Sequence, residues 1–435
     1  MTDITIKPAQ SVQGYVELPG DKSVSHRAVM LAALGSHPIR LTNLALSDDV
    51  RSTINAMKTL GAQIAHDERD PTIVTITGNG MRGLAIADGD VIDCGNAGTL
   101  ARLLPGLLVG QKGSFTLTGD ESLSLRPMRR VSGPLTAMGA TIKTSPTGTL
   151  PMTVTGTDDV RGIDLELEIP SAQVQTAVLF AGLFADDLTA VTESAQMRDH
   201  TERMLRRAGV QITRNGNTVT VHPATTIELP DTTVPADPSS AAPFVVAASL
   251  LRGSRLRLPG VMINPGRSGL FDVMERMHAA VGMLDRRTVD GEPIADLDLI
   301  ASRQLVRTPL RREEVPSMID ELPLFALLAH FCKGPSVVKG AGELRVKESD
   351  RITTLVTSLR RIGVSIDELA DGFVVKGSGV RLEGGELNAE GDHRIAMLGG
   401  VAGLVSRKGV TITGAECVDV SFPGFFQILN TIAER

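Results

Sequence analysis

Five helical tails in this chain end in nearly the same way. Met57-Lys-Thr-Leu-Gly61-Ala-Gln-Ile64, Leu135-Thr-Ala-Met-Gly139-Ala-Thr-Ile142, Leu205-Arg-Arg-Ala-Gly209-Val-Gln-Ile212, Met277-His-Ala-Ala-Val-Gly282-Met-Leu284 and Leu359-Arg-Arg-Ile-Gly363-Val-Ser-Ile366 each run from an amphipathic segment through a glycine toward a strand. A glycine there suits the left-handed cap that ends many helices. The glycines recur roughly every 75 residues, and a repeat of that kind implies one structural unit used several times. A sixth segment, Gly424-Phe-Phe-Gln-Ile-Leu-Asn-Thr-Ile432, closes the series without the terminal glycine.

Between these tails lie six strongly apolar segments with polar starts: at Ser23, at Asn96-Ala-Gly-Thr99, at Ser171-Ala-Gln173, at Asp237-Pro-Ser-Ser, at Pro316-Ser-Met-Ile-Asp320 and at Asp392-His-Arg394. A helix that is apolar on nearly every side is a buried one. Each unit therefore holds a buried helix, an outer amphipathic helix and short strands such as Ile73-Val-Thr-Ile-Thr77 and Phe115-Thr-Leu-Thr118. The spacing Ile352, Leu355, Val356, Leu359, Ile362 predicts an outer helix with Asp350 near its start. At 435 residues the chain is long for one core. We expect an α/β protein of two similar lobes, each of three βαβαββ units around roughly parallel buried helices, the lobes meeting where helix N-termini face each other. The lobes are expected at 20–232 and at 238–435, the latter joined by 1–14, with crossovers near 14–20 and 232–238.

Asp21-Lys-Ser-Val-Ser-His-Arg27 holds the densest chemistry. With Ser23 as N-cap, a helix would carry Lys22 and Ser23 at its start, where free N–H groups favour an anion. Arg27 falls four residues on, on the same face. Lysine, hydroxyl, guanidinium and helix start converge on one anion, such as a phosphate. A capped core helix with two solvated cations is the plainer alternative.

Other polar starts add to this set. Asp93-Cys-Gly-Asn-Ala-Gly-Thr99 can bring backbone N–H groups close to a ligand, or be only a tight turn. Arg126 follows a strand in a loop; Arg198-Asp-His-Thr-Glu202 reads equally as a solvated helix start. Glu343-Leu-Arg-Val-Lys-Glu-Ser-Asp-Arg351 packs cations and acids together, and Asp320 places a carboxylate at the mouth of an apolar helix. Lys22, Arg27, Arg126, Lys347, Arg351 and Arg394, beside Asp320 and Glu348, suit a substrate with several negative charges and supply groups for acid–base work.

The formal net charge of −6 and the absence of Trp, with a single Tyr, argue against nucleic-acid binding. Cys94, Cys332 and Cys417 lack metal-ligand spacing and suit a reducing compartment. No apolar run reaches the roughly 18 residues of a membrane span. Without a signal-peptide pattern, the start Met1-Thr-Asp-Ile-Thr-Ile-Lys-Pro8 reads as an edge strand and the expected location is the cytoplasm. Neither a Walker-type loop nor a metal-spaced cluster is evident, so neither nucleotide cofactor nor metal is expected.

Together these motifs resemble the 5-enolpyruvylshikimate-3-phosphate synthase family of enolpyruvyl transferases. The resemblance spans the chain, through Pro19–Arg27, Gly95–Thr99, Arg126-Pro-Met128, Ser171–Gln173, Arg198–Glu202, Asp320-Glu321, Arg345–Arg351 and Asp392–Arg394. It implies two lobes that close over the substrates in a single chain acting as a monomer, with no cofactor. It implies shikimate 3-phosphate held by Lys22, Ser23, Arg27, Ser171, Ala172, Gln173, Asp320 and Lys347, and phosphoenolpyruvate by Lys22, Gly98, Arg126, Gln173, Arg351 and Arg394. Asp320 would take the 5-hydroxyl proton; Glu348, or Lys22, would protonate the methylene carbon. Glyphosate would occupy the phosphoenolpyruvate position, against Gly98.

The chain departs from the family pattern at Ala172, where many members have serine and only backbone can contribute. At Val420 many have a lysine. Leu103 stands where sensitive relatives often have proline. Two rival functions are transfer to UDP-N-acetylglucosamine, whose enzymes usually carry Asn at Ser23 and a loop cysteine absent here, and a non-catalytic repeat scaffold.

Overall fold

The computed structural model describes residues 3–195 and 197–435. It divides into two compact units, one built from Gly20–Val234 with Val289–Glu292, the other from residues up to Pro19, Pro235–Thr288 and Pro293–Arg435.

In the first unit three four-stranded sheets share one plan. Strand Thr189–Glu193 pairs in parallel with Asp164–Leu167 and antiparallel with Thr218–Val221, which Ile212–Asn215 extends. Ser114–Thr118 is flanked in the same order by Ile92–Asp93, Met152–Thr155 and Thr141–Lys143. Ile39–Thr42 has the antiparallel partners, but its parallel neighbour is Thr232–Thr233. The unit's last strand thus completes its first sheet.

The second unit uses the same parts. Arg255–Met262 runs parallel to Ser11–Tyr15 and antiparallel to Glu292–Ile300. Val410–Thr413 runs parallel to Gly385–Asn388, and Ile4–Ile6 lies antiparallel at its outer edge. The remaining sheet has three strands, Lys333–Val338, Gly372–Ser378 and Ile366–Leu369.

The six apolar segments are buried helices: Lys22–Ala32, Gly98–Leu108 and Ala172–Gly182 in the first unit, Pro238–Leu250, Leu322–Phe331 and His393–Val405 in the second. They pack very closely where side chains are small. A Cβ on Gly106 would lie 2.1 Å from the carbonyl oxygen of Ala177. Near the helix starts, Gln173 Nε2 donates to Thr99 Oγ1 at 3.2 Å. Contacts at 173 with 99 and 177 with 106 rise together along both helices, so the two run parallel.

Outer helices include Asp48–Thr59, His200–Arg207, Gly269–Arg276 and Arg351–Arg361. In the last, Ile352, Leu355, Val356, Leu359 and Ile362 are buried and Asp350 caps Thr353 N, as the periodicity predicts. Gly61, Gly139, Gly209 and Gly363 all take positive φ at the helix ends. The fourth repeat differs from expectation. The residue with positive φ after helix Gly269–Arg276 is His278, at φ 63°, and Gly282 lies inside strand Val281–Val289. Histidine tolerates the left-handed region better than most side chains, so the turn forms four residues earlier than the glycine marks it.

Candidate active site

In each unit the three buried helices start side by side. In the first, Arg27 ties its own helix to Ala172–Gly182 and to the outer helix His200–Arg207. Its Nη2 donates to Thr176 Oγ1 at 2.9 Å, its Nε to Thr201 Oγ1 at 2.7 Å and its Nη1 to the Ser23 carbonyl at 2.8 Å. Gln173 accepts from Arg102 Nη1 at 3.1 Å while donating to Thr99. The N-cap of the first helix is Asp21, whose Oδ1 accepts from Val24 N at 2.8 Å, and not Ser23 as the sequence predicts. The longer carboxylate one residue before Lys22 reaches the amide first. Ser23 is left inside the first turn, and its hydroxyl does no capping work.

Lys22 Nζ is 2.8 Å from Asp49 Oδ2, a partner on helix Asp48–Thr59 that sequence reasoning missed. Arg126 Nη2 donates to Asn96 Oδ1 at 2.8 Å, and the backbone of Gly98 faces this arginine. A Cβ at Gly98 would lie 3.0 Å from Arg102 Nη1 and 3.3 Å from Arg126 Nη1. Ser171 caps its helix at Val174 N, and Ala172 opens that helix.

Arg198–Glu202 is not a solvated helix start. His200, Thr201 and Glu202 are buried, His200 Nδ1 meets Glu292 Oε1 at 2.8 Å, and Thr201 holds Arg27. Asp199, His200 and Glu292 bring ligand-type atoms within 4.8 Å of one another. Arg203 stands 2.8 Å from Asp199 and 3.9 Å from Glu292, so a guanidinium already supplies positive charge there.

In the second unit the helix starts converge on Glu321. Ser239, in the first turn of Pro238–Leu250, donates to Glu321 Oε1, and Arg394 Nη1 lies 3.9 Å from the same oxygen. Beside it stands Arg351, sealed within the protein. Its Nε donates to Asp392 Oδ2 at 2.7 Å and its Nη2 to Glu348 Oε2 at 2.6 Å, while Nη1 is 3.5 Å from Asp320 Oδ1. Burial alone would lower the Arg351 pKa, but the charges of Asp392 and Glu348, with Asp320 after them, raise it above its ordinary value. Lys347 lies 3.5 Å from Glu343.

The six cations thus fall three to each unit, Lys22, Arg27 and Arg126 in one, Lys347, Arg351 and Arg394 in the other. Acids already offset the charge of Lys22, Lys347, Arg351 and Arg394, pairings that the sequence reading did not include. Also missed was Arg267, buried, 2.9 Å from Asp237 and 3.6 Å from Asp320. Its signal is positional. Asn264-Pro-Gly-Arg267-Ser268 precedes an outer helix, as Lys347 to Asp350 does one unit later. Val420, in the short helix Ala415–Val420, offers no cation.

The family model for EPSP synthase (3-phosphoshikimate 1-carboxyvinyltransferase) matches residues 6–429. A 3-phosphoshikimate 1-carboxyvinyltransferase of Geobacter sulfurreducens is 41% identical over 436 residues, covering 100% of both chains. One from Pelotomaculum thermopropionicum is 43% identical over 99% of each. Among solved structures, EPSP synthase from Acinetobacter baumannii superposes with a TM-score of 0.88 at 38% identity, over 99% of this chain and 98% of that one. The enolpyruvyl transferase NikO of Streptomyces tendae, at 18% identity and a TM-score of 0.76 over 98% and 96%, shares the fold. From residue 6 to residue 429, this chain belongs to the EPSP synthase family.

Proposed function

We propose that this chain transfers the enolpyruvyl group of phosphoenolpyruvate to the 5-hydroxyl of shikimate 3-phosphate, releasing phosphate, on the shikimate route to the aromatic amino acids. The observation that carries the assignment at the level of the site is Arg351, on which Asp320 and Glu348 both stand. A cation between two carboxylates suits a reaction that brings in an anionic substrate, removes one proton and delivers another.

Asp320 takes the 5-hydroxyl proton as that oxygen bonds to C2 of phosphoenolpyruvate. Glu348, with Lys22 a second candidate, gives a proton to the methylene carbon. The tetrahedral adduct then loses a methyl proton and expels phosphate, which restores the carbon–carbon double bond. Shikimate 3-phosphate is assigned to Lys22, Ser23, Arg27, Ser171, the Ala172 backbone, Gln173, Asp320 and Lys347. Phosphoenolpyruvate is assigned to Lys22, Gly98, Arg126, Gln173, Arg351 and Arg394, and glyphosate to the same place. The hydroxyls of Thr176 and Thr201 support this reading by fixing the Arg27 fork toward the start of its helix. An anion arriving at Arg351 competes with Glu348 for the guanidinium, which frees that carboxylate to move a proton.

The enzyme is proposed to work as a monomer in the cytoplasm. The three cysteines are free thiols, and among the described residues no helix is long and apolar enough to cross a membrane. The test is phosphate release from phosphoenolpyruvate with shikimate 3-phosphate or UDP-N-acetylglucosamine as acceptor. Release with the first alone is expected; release with the second alone overturns the assignment.

A further inference from the structure

We infer that Arg267 is a positioning residue that aims the Asp320 carboxylate, an inference that rests on Asp320 being the base. Arg267 lies between strand Arg255–Met262 and helix Gly269–Arg276. Its backbone is fixed before its side chain acts. Asn264 Oδ1 accepts from Gly266 N at 2.9 Å, and the Asn264 carbonyl accepts from Arg267 N at 2.8 Å and Ser268 N at 2.9 Å. Such a turn fixes the point from which the arginine side chain leaves the backbone.

The side chain is 3% exposed and its Nη2 is anchored twice, on Asp237 Oδ1 at 2.9 Å and on Ser239 Oγ at 3.0 Å. Asp237 is itself the N-cap of helix Pro238–Leu250. With Nη2 held there, Nη1 comes to 3.6 Å from Asp320 Oδ2. On the other side, Arg351 Nη1 is 3.5 Å from Asp320 Oδ1. Each carboxylate oxygen therefore faces one guanidinium, and neither guanidinium can follow Asp320 if it turns. Arg267 is tied to Asp237, and Arg351 to Asp392 and Glu348. Asp320 keeps 16% exposure, against 3% and 2% for the two arginines, and is the most accessible of the three.

A base removes a proton only from within hydrogen-bond reach and along the right direction. A displacement of about 1 Å can cost about 100-fold in rate. The competing account makes Arg267 a purely structural partner of Asp237, holding the loop to the helix start. The two accounts differ in what happens once the base is gone.

The experiment measures kcat and both KM values of the full-length enzyme carrying Arg267→Gln, Arg267→Lys, Asp320→Asn and the Arg267→Gln/Asp320→Asn pair, with thermal melts of each. Arg267→Gln is expected to lower kcat about 10- to 100-fold with both KM values within about threefold. Arg267→Lys keeps the charge without the fork and should recover part of that loss. In the Asp320→Asn background, Arg267→Gln should cost less than about twofold more, because a base that is absent cannot be misaimed. The same fold loss in both backgrounds, or an unchanged kcat in Arg267→Gln, overturns the positioning role and leaves Asp320 as base. Near-normal turnover in Asp320→Asn removes the base assignment, and with it this inference. Should Arg267→Gln melt too early to assay, the Lys variant answers the question, since a folded Lys variant with full kcat in the wild-type background also overturns it.

Discussion

Arg351 and Asp392 meet at 2.7 Å with their side chains 2% and 0% exposed. Asp392 serves twice, for its Oδ1 also accepts from Arg394 N at 2.9 Å and caps helix His393–Val405. One buried carboxylate therefore fixes both the guanidinium that carries Asp320 and Glu348 and the helix that presents Arg394. Replacing it by asparagine keeps the cap but strands the charge. Asp392→Asn is expected to destabilise the fold by about 3–5 kcal/mol, the usual cost of breaking a buried pair. Urea unfolding followed by circular dichroism checks this; a loss under about 1 kcal/mol would mean Glu348 and Asp320 suffice for Arg351.

Asp320→Asn preserves shape and removes the proton acceptor. Turnover should fall about 100- to 10,000-fold, the span general base catalysis supplies, with shikimate 3-phosphate affinity within about tenfold. Titration calorimetry beside steady-state kinetics separates the two. Loss of binding with no separate loss of kcat would make Asp320 a ligand contact only.

Gly98→Ala would place a methyl 3.0 Å from Arg102 Nη1 and 3.3 Å from Arg126 Nη1. Both neighbours are ends of flexible side chains, so the helix can accept the methyl if they give way. The space it takes adjoins the arginine assigned to phosphoenolpyruvate, and the longer glyphosate molecule should meet it first. Glyphosate inhibition is expected to weaken by about 10- to 200-fold, the worth of one methylene of misfit, with a much smaller rise in the KM for phosphoenolpyruvate. Equal weakening of both ligands would show that the methyl acts by moving Arg126 and not by filling the pocket.

His26 is fully buried in the first helix, with Nδ1 2.6 Å from Thr53 Oγ1. Burial first, then the charges of Lys22 and Arg27, hold its imidazole well below the usual 6.5, with Asp21 opposing. The folded chain thus binds fewer protons here than the unfolded chain once the pH drops below about 6.5. The stability that neutral His26 contributes is complete above that point and is lost as pH falls toward the folded value. His330, lowered by burial against the pull of the Val380 carbonyl, acts in the same sense. For one such group the slope reaches about 1.4 kcal/mol per pH unit. Urea unfolding between about pH 7.5 and 4.5 should show a shallower fall for His26→Gln than for the parent. Parallel curves would mean that the histidine titrates alike in both states.

Local pattern determined a good deal of this protein. The repeat, the six apolar helices with polar starts, and the face made by Ile352, Leu355, Val356, Leu359 and Ile362 all follow from residues close together in sequence, where periodicity and capping act. Lys22, Arg126, Asp320, Lys347, Glu348, Arg351 and Arg394 were readable as candidate chemistry because each sits at a helix start or in the loop before one, and Arg27 because it falls four residues past Ser23 on the same helix. Tertiary structure decided who partners whom. Asp49 for Lys22, Thr176 and Thr201 for Arg27, Asp392 for Arg351, and Arg267 for Asp320 all lie 27 or more residues from their partners. Ion pairs and buried hydrogen bonds act through space over a few ångströms, and only packing brings distant segments that close. The same holds for Thr232–Thr233, which completes the first sheet of its unit from the far end of it. Even the local rule yielded twice, at Asp21, which took the cap from Ser23, and at His278, which took the turn from Gly282. In both places a neighbouring residue met the same backbone demand sooner along the chain.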